Sequence, residues 1–414
     1  MEAKVISKKT GAEVTRSKTL VPKLRFKGFT NKWLEKSLEE IFKINAGGDI
    51  DETHVSPIQT EKHKYPIYAN AEKNKGFYAY SDIYKVEAGT ITIAGRGVNI
   101  GIAHARDHKF YPIVRLLVLI PLNNENINFG EYAINRINLF PESTGVPQLT
   151  VPQVSGYKIS IPTLPEQQKI ATFLSAVDEK IQQLTHKKEL LEHYKKGVMQ
   201  QLFSGKLRFK DKNGKAFPKW EKKKLGEIGQ FQTSSVDKLS VPNEQEVYLV
   251  NYMNVYKHEK INKETIKNLQ IVTAKDNQII SSNLKKGDIL FTPSSETPSD
   301  IGHSVVIFED LENCVYSYHL MRFRPIIDID ILYSHYFCNI TSVLNQLSKL
   351  ATGSTRFTIS VKSFSSIIVN LPCIDEQKKI ANYLSNIDYK IESVTKQISQ
   401  TQTYKKGLLQ QMFV

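Results

Sequence analysis

Apolar residues recur at alternating steps of four and three positions along two long stretches of the chain. The first stretch runs from Ile170 to Leu202 and the second from Ile380 to Met412. This spacing is typical of a helix that buries one narrow apolar stripe against a second helix. The sequence therefore predicts two coiled-coil helices. The core positions assigned to them are Ile170, Leu174, Val177, Ile181, Leu184, Ile380, Leu384, Ile387, Ile391 and Val394.

Local signals mark where each helix starts and how far it runs. Thr163 and Glu166 have the spacing of a capping box, and Asp375 can cap the second helix. After these residues, glycine and proline are absent until Gly197 and Gly407. We therefore expect each helix to contain at least about 30 residues and to be roughly 45 to 50 Å long.

The two stretches are copies of one another. Residues 159–204 align without a gap with residues 369–414, at a constant offset of 210, and 19 of the 46 positions are identical. Each copy needs a partner for its apolar stripe, and the other copy is the nearest candidate. Antiparallel pairing would give the chain an internal two-fold repeat. Pairing with another protein, or between two chains, is the alternative.

Two sequence blocks alternate with these helices. Strand-like runs at Ile91–Gly95, Asp288–Pro293 and His319–Pro325 predict a mixed α/β (α+β) fold for both blocks. Each block opens with LRFK followed by Trp, Leu and Ile, and the blocks end in the related runs GVPQLTV and GSTRFTI. The predicted segments are a basic tail (1–21), a first variable domain (22–158), a central helix (159–205), a second variable domain (206–368) and a C-terminal helix (369–414).

The charge of the chain makes nucleic acid the first candidate partner. The sequence contains 56 Lys and Arg against 42 Asp and Glu, a formal net charge of +14. The two helices carry little of this excess, so most of it belongs to the rest of the chain. A positive surface favours polyanions because neutralised phosphates release counterions. Lysines scattered over a soluble protein are the alternative explanation.

Cysteine usage and hydropathy indicate the compartment. Cys314, Cys338 and Cys373 are too few and too far apart for a disulfide framework or a CxxC zinc site. The N-terminus lacks an apolar leader, and the longest apolar run, Val114–Pro121, is too short to cross a bilayer. We expect a cytoplasmic protein without a membrane partner.

Sequence motifs for catalysis are absent from the chain. It contains no P-loop, no HExxH zinc motif and no NPPY-type methyltransferase tetrapeptide. The glycine-rich run Ala94–Gly101 lacks dinucleotide-binding spacing, and it predicts either a tight turn or a loop that approaches phosphate closely. His104 and His108 could share a helix face, but no third metal ligand is placed with them. We expect a binding protein with no catalytic residues and no metal site.

Several loop and strand residues are suited to reading DNA bases. Arginine can bind guanine in a bidentate manner, and side-chain amides can bind adenine. The candidate DNA-binding residues are Arg96, Asn99, Arg115, Gln148, Arg322, Arg324, Thr355 and Arg356. Arg322 and Arg324 alternate with apolar residues and would share one polar strand face. An ordinary half-buried strand is the alternative for this pair.

The order of these features resembles the specificity subunits of type I restriction-modification systems. The likeness covers nearly the whole chain and is strongest in Pro162–Ile181 and Pro372–Ile391, which share EQ, KIA, LS and KI and precede YKKG and QQ. The resemblance implies two target recognition domains, each contacting half of a bipartite site in double-stranded DNA. It also implies that the two helices pack antiparallel as a spacer.

The same resemblance implies partners for DNA methylation and bacterial defence. Two methyltransferase subunits would dock on the helices and recognition domains, and two translocase-nuclease subunits would join the full complex. S-adenosylmethionine, ATP and Mg would be used by these partners and not bound by this chain. Two other functions stay open: a stand-alone DNA-modifying enzyme with a catalytic cluster hidden in the domains, and a structural coiled-coil adaptor that does not bind DNA.

Overall fold

The chain folds into two compact units. The structure is a computed structural model that describes residues 20–70, 74–141 and 147–414. The first unit combines residues up to Thr185 with Lys396–Val414, and the second consists of His186–Thr395. The N-terminal tail predicted at 1–21 lies almost wholly outside the described residues, as do Gly145 and Val146 of the first domain-end motif.

In the part of the chain that the structure describes, the first unit contains ten strands and three short α-helices before its long helix. The strands are β1 (Leu34–Ser37), β2 (Phe42–Ala46), β3 (Val55–Ser56), β4 (Tyr65–Tyr68), β5 (Phe77–Ser81), β6 (Thr90–Ile93), β7 (Ala103–Arg106), β8 (Tyr111–Pro112), β9 (Leu117–Pro121) and β10 (Lys158–Ile161) among the described residues. The helices are α1 (Leu38–Ile41), α2 (Ile127–Ile134), α3 (Val151–Ser155) and the long α4 (Leu164–Phe203).

Two four-stranded sheets and a strand pair organise this unit. The sheet orders are β2-β9-β6-β7 and β3-β5-β4-β8, and β1 pairs with β10. The core lies between the first sheet, α2 and the long helices, where apolar side chains such as Phe42, Ile91 and Phe129 are buried. The predicted strand at Ile91–Gly95 corresponds to β6.

The second unit repeats this plan with more elements. Its strands are β11 (Glu221–Lys224), β12 (Gly229–Thr233), β13 (Gln245–Val250), β14 (Gln270–Ala274), β15 (Asn283–Leu284), β16 (Ile289–Phe291), β17 (Ser294–Ser295), β18 (Ser304–Val306), β19 (Leu311–Tyr316), β20 (Met321–Pro325), β21 (Phe357–Thr358) and β22 (Ile368–Leu371). Its helices are α5 (Leu225–Ile228), α6 (Tyr252–Tyr256), α7 (Asp276–Ser281), α8 (Ile331–Phe337), α9 (Thr341–Leu350), α10 (Val361–Ser366) and α11 (Ile374–Met412).

The sheets of the second unit follow those of the first, except that the fourth strand of the second sheet lies on the opposite edge, because β3 pairs with β5 whereas β15 pairs with β19. Their orders are β12-β20-β16-β18 and β14-β13-β19-β15, and β11 pairs with β22 as β1 pairs with β10. An additional short pair joins β17 to β21. The predicted mixed α/β fold is therefore confirmed in both units. Each unit contains one variable domain and half of each long helix.

The long helices α4 and α11 contain 40 and 39 residues, which exceeds the predicted minimum of about 30 residues for each. The ten core positions assigned from the sequence are all buried or half-buried, and Leu174 and Leu384 are inaccessible to solvent. Their starts differ from the prediction. Glu166 binds Arg25 instead of closing a capping box with Thr163, and Asp375 lies inside the first turn because α11 begins at Ile374.

The two helices pair with each other inside one chain. In the first unit the N-terminal half of α4 packs against the C-terminal half of α11, and Lys405 Nζ lies 2.5 Å from Asp178 Oδ1. In the second unit the other two halves pack, and Lys195 Nζ lies 2.5 Å from Asp388 Oδ1. The helices are antiparallel in each unit, which confirms the predicted coiled coil.

Candidate nucleic-acid interface

A buried carboxylate fixes the opening of each variable domain to its long helix. Arg25 donates to Glu166 through Nε and Nη2, both at 2.7 Å, and Arg208 donates to Glu376 at 3.0 and 2.6 Å. The two carboxylates are at most 1% exposed. Each charge-assisted fork raises the pKa of its arginine. Both domains are thus held by the same kind of contact, in which the two glutamates occupy equivalent positions 210 residues apart.

A second carboxylate ties each domain to both helices. The hydroxyl of Tyr132 donates to Asp178 at 2.6 Å, and that of Tyr336 donates to Asp388 at 2.7 Å. Burial raises the pKa of both tyrosines. The same aspartates bind the lysines that join α4 to α11. These repeated contacts give the two units a common scaffold, whereas their loops differ.

The first loop cluster comprises Asn70, Arg96, Asn99, Arg115 and Gln148. Arg96 Nε donates to Gln148 Oε1 at 2.8 Å, and Nη2 donates to the same oxygen. The structure therefore joins two predicted DNA-binding residues that lie 52 positions apart in sequence. An arginine held by a neighbouring side chain is preorganised, so it loses less freedom when it binds a base.

Asn70 connects the loops that carry the two arginines. Its Oδ1 accepts from Gly95 N–H at 2.8 Å, and its Nδ2 donates to the Val114 carbonyl at 2.7 Å. Val114 and Arg115 both adopt left-handed backbone conformations, with φ of 53° and 57°. Such conformations are uncommon outside glycine and need support from their surroundings. Asn70 supplies part of that support and leaves Arg115 exposed.

The glycine-rich run forms the hairpin loop between antiparallel strands β6 and β7. No helix follows it, which agrees with the lack of dinucleotide-binding spacing, and the run makes the tight turn that is one of its two predicted structures. Gly95 allows a close approach, because a Cβ there would lie 3.2 Å from the Arg115 carbonyl oxygen and 3.4 Å from that of Leu149. Asn99 lies half-buried in this hairpin, where the Ile102 amide donates to its carbonyl.

The second loop cluster comprises Tyr252, Ser294, Thr355 and Arg356. Arg356 Nη2 donates to Ser294 Oγ at 3.2 Å, and the hydroxyl of Tyr252 donates to the Ser294 carbonyl at 2.9 Å. Burial raises the pKa of that tyrosine. The exposed Thr355 and Arg356 sit in a turn that requires Gly353, since a Cβ there would lie 2.1 Å from the Arg356 carbonyl oxygen.

Arg322 and Arg324 occupy one face of β20, but internal partners hold both side chains. Arg322 is 5% exposed and donates to the Asn283 carbonyl at 2.6 Å, and burial lowers its pKa. Arg324 forms a bidentate pair with Asp288 at 2.6 and 2.7 Å, which raises its pKa. Base contacts would require both residues to leave these partners, so the ordinary half-buried strand fits the pair better than a place in the interface.

The structure gives no support for a metal site at His104 and His108 or for a reactive thiol at Cys314. His104 lies on strand β7 and His108 in the following turn, so they do not share a helix face. Across the described ranges no three His, Cys, Asp or Glu side chains are placed to hold a metal ion. Burial raises the pKa of Cys314 to about 12, so its thiol is not a ready nucleophile.

Sequence reasoning missed Asn70, Tyr252 and Ser294, because none belongs to a motif. Asn70 lies in a loop, Tyr252 begins the short helix α6 and Ser294 begins the two-residue strand β17, so no shared sequence pattern marks them. The structure also corrects the sequence alignment of the two domain ends, in which Leu149 of GVPQLTV would match Phe357 of GSTRFTI. Leu149 N–H donates to the Gly95 carbonyl, and Ile359 N–H donates to the Pro293 carbonyl, so these two residues are equivalent.

The architecture is that of a duplicated recognition protein carried on an antiparallel helical pair. The family model for the type I restriction modification DNA specificity domain matches residues 30–193 and 218–402. These ranges include most of the chain, which therefore belongs to this family of type I specificity subunits. Among the described helices, none combines the length and apolar character needed to cross a bilayer.

Relatives and solved structures agree with this family. A Mycoplasma pneumoniae protein named as a type I specificity subunit is 36% identical over 135 residues, covering 32% of this chain and 36% of that protein. The specificity subunit of the type I restriction enzyme MjaVIII from Methanocaldococcus jannaschii is 26% identical over 288 residues, covering 65% of this chain and 64% of the relative. The matches thus span less than two thirds of either relative's own length.

The fold is similar to that of a solved S subunit. The crystal structure of the type I restriction-modification S subunit from M. genitalium has a TM-score of 0.59 and 16% identity, covering 95% of this chain and 99% of that chain. A chain from a structure of type I R-M complex assembly has a TM-score of 0.55 and 14% identity, covering 92% and 96%. At these identities the likeness concerns the fold.

Proposed function

We propose that each unit reads one half of a bipartite target in double-stranded DNA. The observation that carries this proposal is the contrast between scaffold and loops. The carboxylate contacts to Arg25 and Arg208 are repeated in the two units, but the first loop cluster offers Arg and amide groups where the second offers Tyr, Ser, Thr and Arg. Two domains that share a scaffold but present different side chains are suited to recognising two different base sequences.

The paired helices act as a spacer and as docking surfaces for two methyltransferase subunits. Tyr194 and Tyr404 support the docking role, since they are equivalent in the repeat and their side chains are 51% and 56% exposed. Exposed aromatic side chains are enriched at protein interfaces. One such tyrosine in each unit would provide two equivalent sites. Two translocase-nuclease subunits complete the restriction complex.

This chain has no catalytic role in the proposed complex. It binds no cofactor, and S-adenosylmethionine, ATP and Mg are used by the partner subunits in the cytoplasm. The rival functions predict different results with the purified chain. A stand-alone enzyme would modify DNA without partners, and a coiled-coil adaptor would not shift a DNA duplex in a gel.

Domain exchange tests the assignment of half-sites. Residues 22–158 are replaced by the corresponding domain of a relative, and methylated sites are mapped across the genome. One half of the methylated motif should change while the other half stays the same. Alteration of both halves, or of neither, would contradict separate reading by the two units.

Helix insertion tests the spacer. Seven residues added at equivalent positions of both helices keep the heptad register, and the unspecified gap in the methylated motif should lengthen. A control insertion of the same size in the exposed loop 239–243 should leave the gap unchanged. An unchanged gap in the helix variant would contradict the spacer role.

A further inference from the structure

The segment that opens the second variable domain is strongly basic. Residues 206–224 contain nine Lys and Arg but only two Asp and Glu. Both acidic groups are engaged: Asp211 accepts from the amides of Asn213 and Lys215, and Glu221 pairs with Lys223 at 3.0 Å. Within the described chain, the lysines of this segment that form no ion pair are Lys206, Lys210, Lys212, Lys215, Lys219, Lys222 and Lys224.

Part of this segment forms a fixed turn, which we name the basic turn (residues 210–216). Lys210 pairs with Ala216, and the Asp211 amide donates to the Lys215 carbonyl at 2.8 Å. Gly214 has a φ of 78°, a left-handed conformation that favours glycine. The backbone of the turn is fixed by these contacts, and its three lysines, Lys210, Lys212 and Lys215, are exposed.

Helix α11 anchors the basic turn. Lys379 Nζ donates to the Lys210 carbonyl at 2.6 Å and lies 5.6 Å from the centre of the Phe217 ring. The adjoining Arg208 binds the buried Glu376. The turn is therefore attached to the scaffold of the second unit at both ends.

The first unit provides an internal comparison. Trp33 follows Lys27 by six positions, whereas Trp220 follows Lys210 by ten. The four extra residues create the basic turn, and the first unit forms the same arginine–glutamate contact without it, although only Trp220 adds a hydrogen bond to its glutamate. The turn is thus an addition to the second unit that its scaffold does not require.

We propose that the basic turn binds the phosphodiester backbone of DNA and contributes affinity without reading sequence. The proposal rests on the DNA-reading function proposed above. Lysine suits phosphate as a compact point charge, but it is depleted at protein interfaces. A protein partner would need a large apolar anchor. Among residues 206–224, only Leu207 is an exposed large apolar side chain.

The test compares two triple variants of the full chain assembled with its methyltransferase subunits. The first is Lys210→Gln, Lys212→Gln and Lys215→Gln. The charge-matched control is Lys263→Gln, Lys267→Gln and Lys275→Gln, which changes three exposed lysines elsewhere in the second unit. The dissociation constant is measured over a range of salt concentrations for a duplex with the methylated motif and for one without it.

The turn variant should bind both duplexes more weakly by the same factor. Its plot of log affinity against log salt should be shallower by about 0.9 for each phosphate that the variant no longer neutralises. The control should keep the original slope. A second variant, in which residues 211–219 are replaced by residues 28–32 of the first unit, should reproduce the shallower slope because it removes the extra turn.

An unchanged slope, or a change equal to that of the control, would overturn the proposal. Weaker assembly with methyltransferase at an unchanged DNA slope would also overturn it and would assign the turn to a protein partner. Failure of the proposed DNA-reading function has a different signature, since the unaltered protein would then bind both duplexes equally.

Discussion

Lys405 Nζ lies 2.5 Å from Asp178 Oδ1 and joins the two long helices in the first unit. Tyr132 donates to the other carboxylate oxygen at 2.6 Å. Asp178→Asn should lower the free energy of unfolding of this unit by about 1 kcal/mol, because hydrogen bonds to charged groups are stabilising but partial exposure screens them. Urea unfolding followed by Trp33 fluorescence, in a Trp220→Phe background, measures this change.

A double-mutant cycle with Lys405→Met isolates the ion pair. We expect a coupling of roughly 0.5 to 1 kcal/mol between Lys405 and Asp178. The repeat supplies a matched comparison, since Lys195 and Asp388 form the same pair in the second unit. A coupling of zero in both units would show that these pairs do not stabilise the helix contact.

Loss of Arg25 should destabilise more than loss of Arg208. Arg25→Ala leaves the buried Glu166 without an arginine partner, which costs on the order of 3 to 5 kcal/mol. In Arg208→Ala, Glu376 keeps the indole N–H of Trp220 at 2.8 Å. We expect a loss smaller by about 1 to 2 kcal/mol.

Thermal unfolding of each unit measures these two losses. Adding Glu166→Gln to Arg25→Ala should recover part of the stability, because a neutral amide is less costly to bury than a charge. Equal losses for the two arginine variants, or no recovery by Glu166→Gln, would contradict this account of the buried carboxylates.

Asn70 should act on sequence discrimination by the first unit. Asn70→Asp keeps the acceptor for Gly95 N–H and removes the donor to Val114, whereas Asn70→Ala removes both hydrogen bonds. Each hydrogen bond removed should reduce discrimination at one half-site about five-fold, as expected for roughly 1 kcal/mol. Competition binding with duplexes altered in either half measures this. An equal effect at both half-sites would contradict a local role.

Arg322 and Arg356 should separate stability from DNA binding. Arg322→Leu leaves the Gln232 amide oxygen without a donor and the Asn283 carbonyl with only the 3.3 Å contact from Arg324, so the second unit should lose roughly 2 to 4 kcal/mol. Arg356→Ala changes an exposed side chain and should alter stability by less than about 0.5 kcal/mol while weakening DNA binding. Unfolding and gel-shift measurements on both variants test this prediction. It would be contradicted if Arg356→Ala lowered the stability while Arg322→Leu weakened DNA binding without a loss of stability.

His335 should make the second unit less stable in mild acid. Burial lowers its pKa, with Lys195 adding to the effect and Asp388 opposing it. Below the ordinary histidine value of about 6.5, the unfolded chain therefore binds this proton more readily than the folded unit. Stability should fall as the pH drops below that value.

The comparison of two histidine variants measures this pH dependence. His335→Asn should flatten the decline in unfolding temperature below about pH 6.5, whereas His193→Asn, at an exposed position of α4, should not. The same decline in both variants would assign the effect to other groups.

The helices could be predicted from sequence because their determinants are local and repeated. The steps from Ile170 to Leu174 and from Ile380 to Leu384 place apolar groups on one face whatever surrounds them. The helix starts were less predictable. Glu166 could close a capping box by spacing alone, but Arg25, 141 positions earlier, takes its carboxylate.

The candidate interface was only partly predictable because it depends on distant pairings. Arg96 and Gln148 were identified by residue type, but their contact requires the β6–β7 hairpin to meet the end of the domain. The alternation around Arg322 placed it on a strand face and could not show that Gln232 and Asn283 cover that face. Tertiary packing determined which arginines stayed accessible.

The first unit is discontinuous in sequence, and this sets an order for folding on the ribosome. The ring centre of Phe413 lies 5.3 Å from that of Phe129, on which it stacks, and 6.0 Å from that of Trp33. Residues 396–414 therefore complete a core that is otherwise formed by residues before 186. The ribosome must first translate the whole second unit, which takes about 10 to 40 s at common synthesis rates. During that interval the nascent first unit lacks its closing helix, and its uncovered aromatic side chains would be a natural target for chaperones.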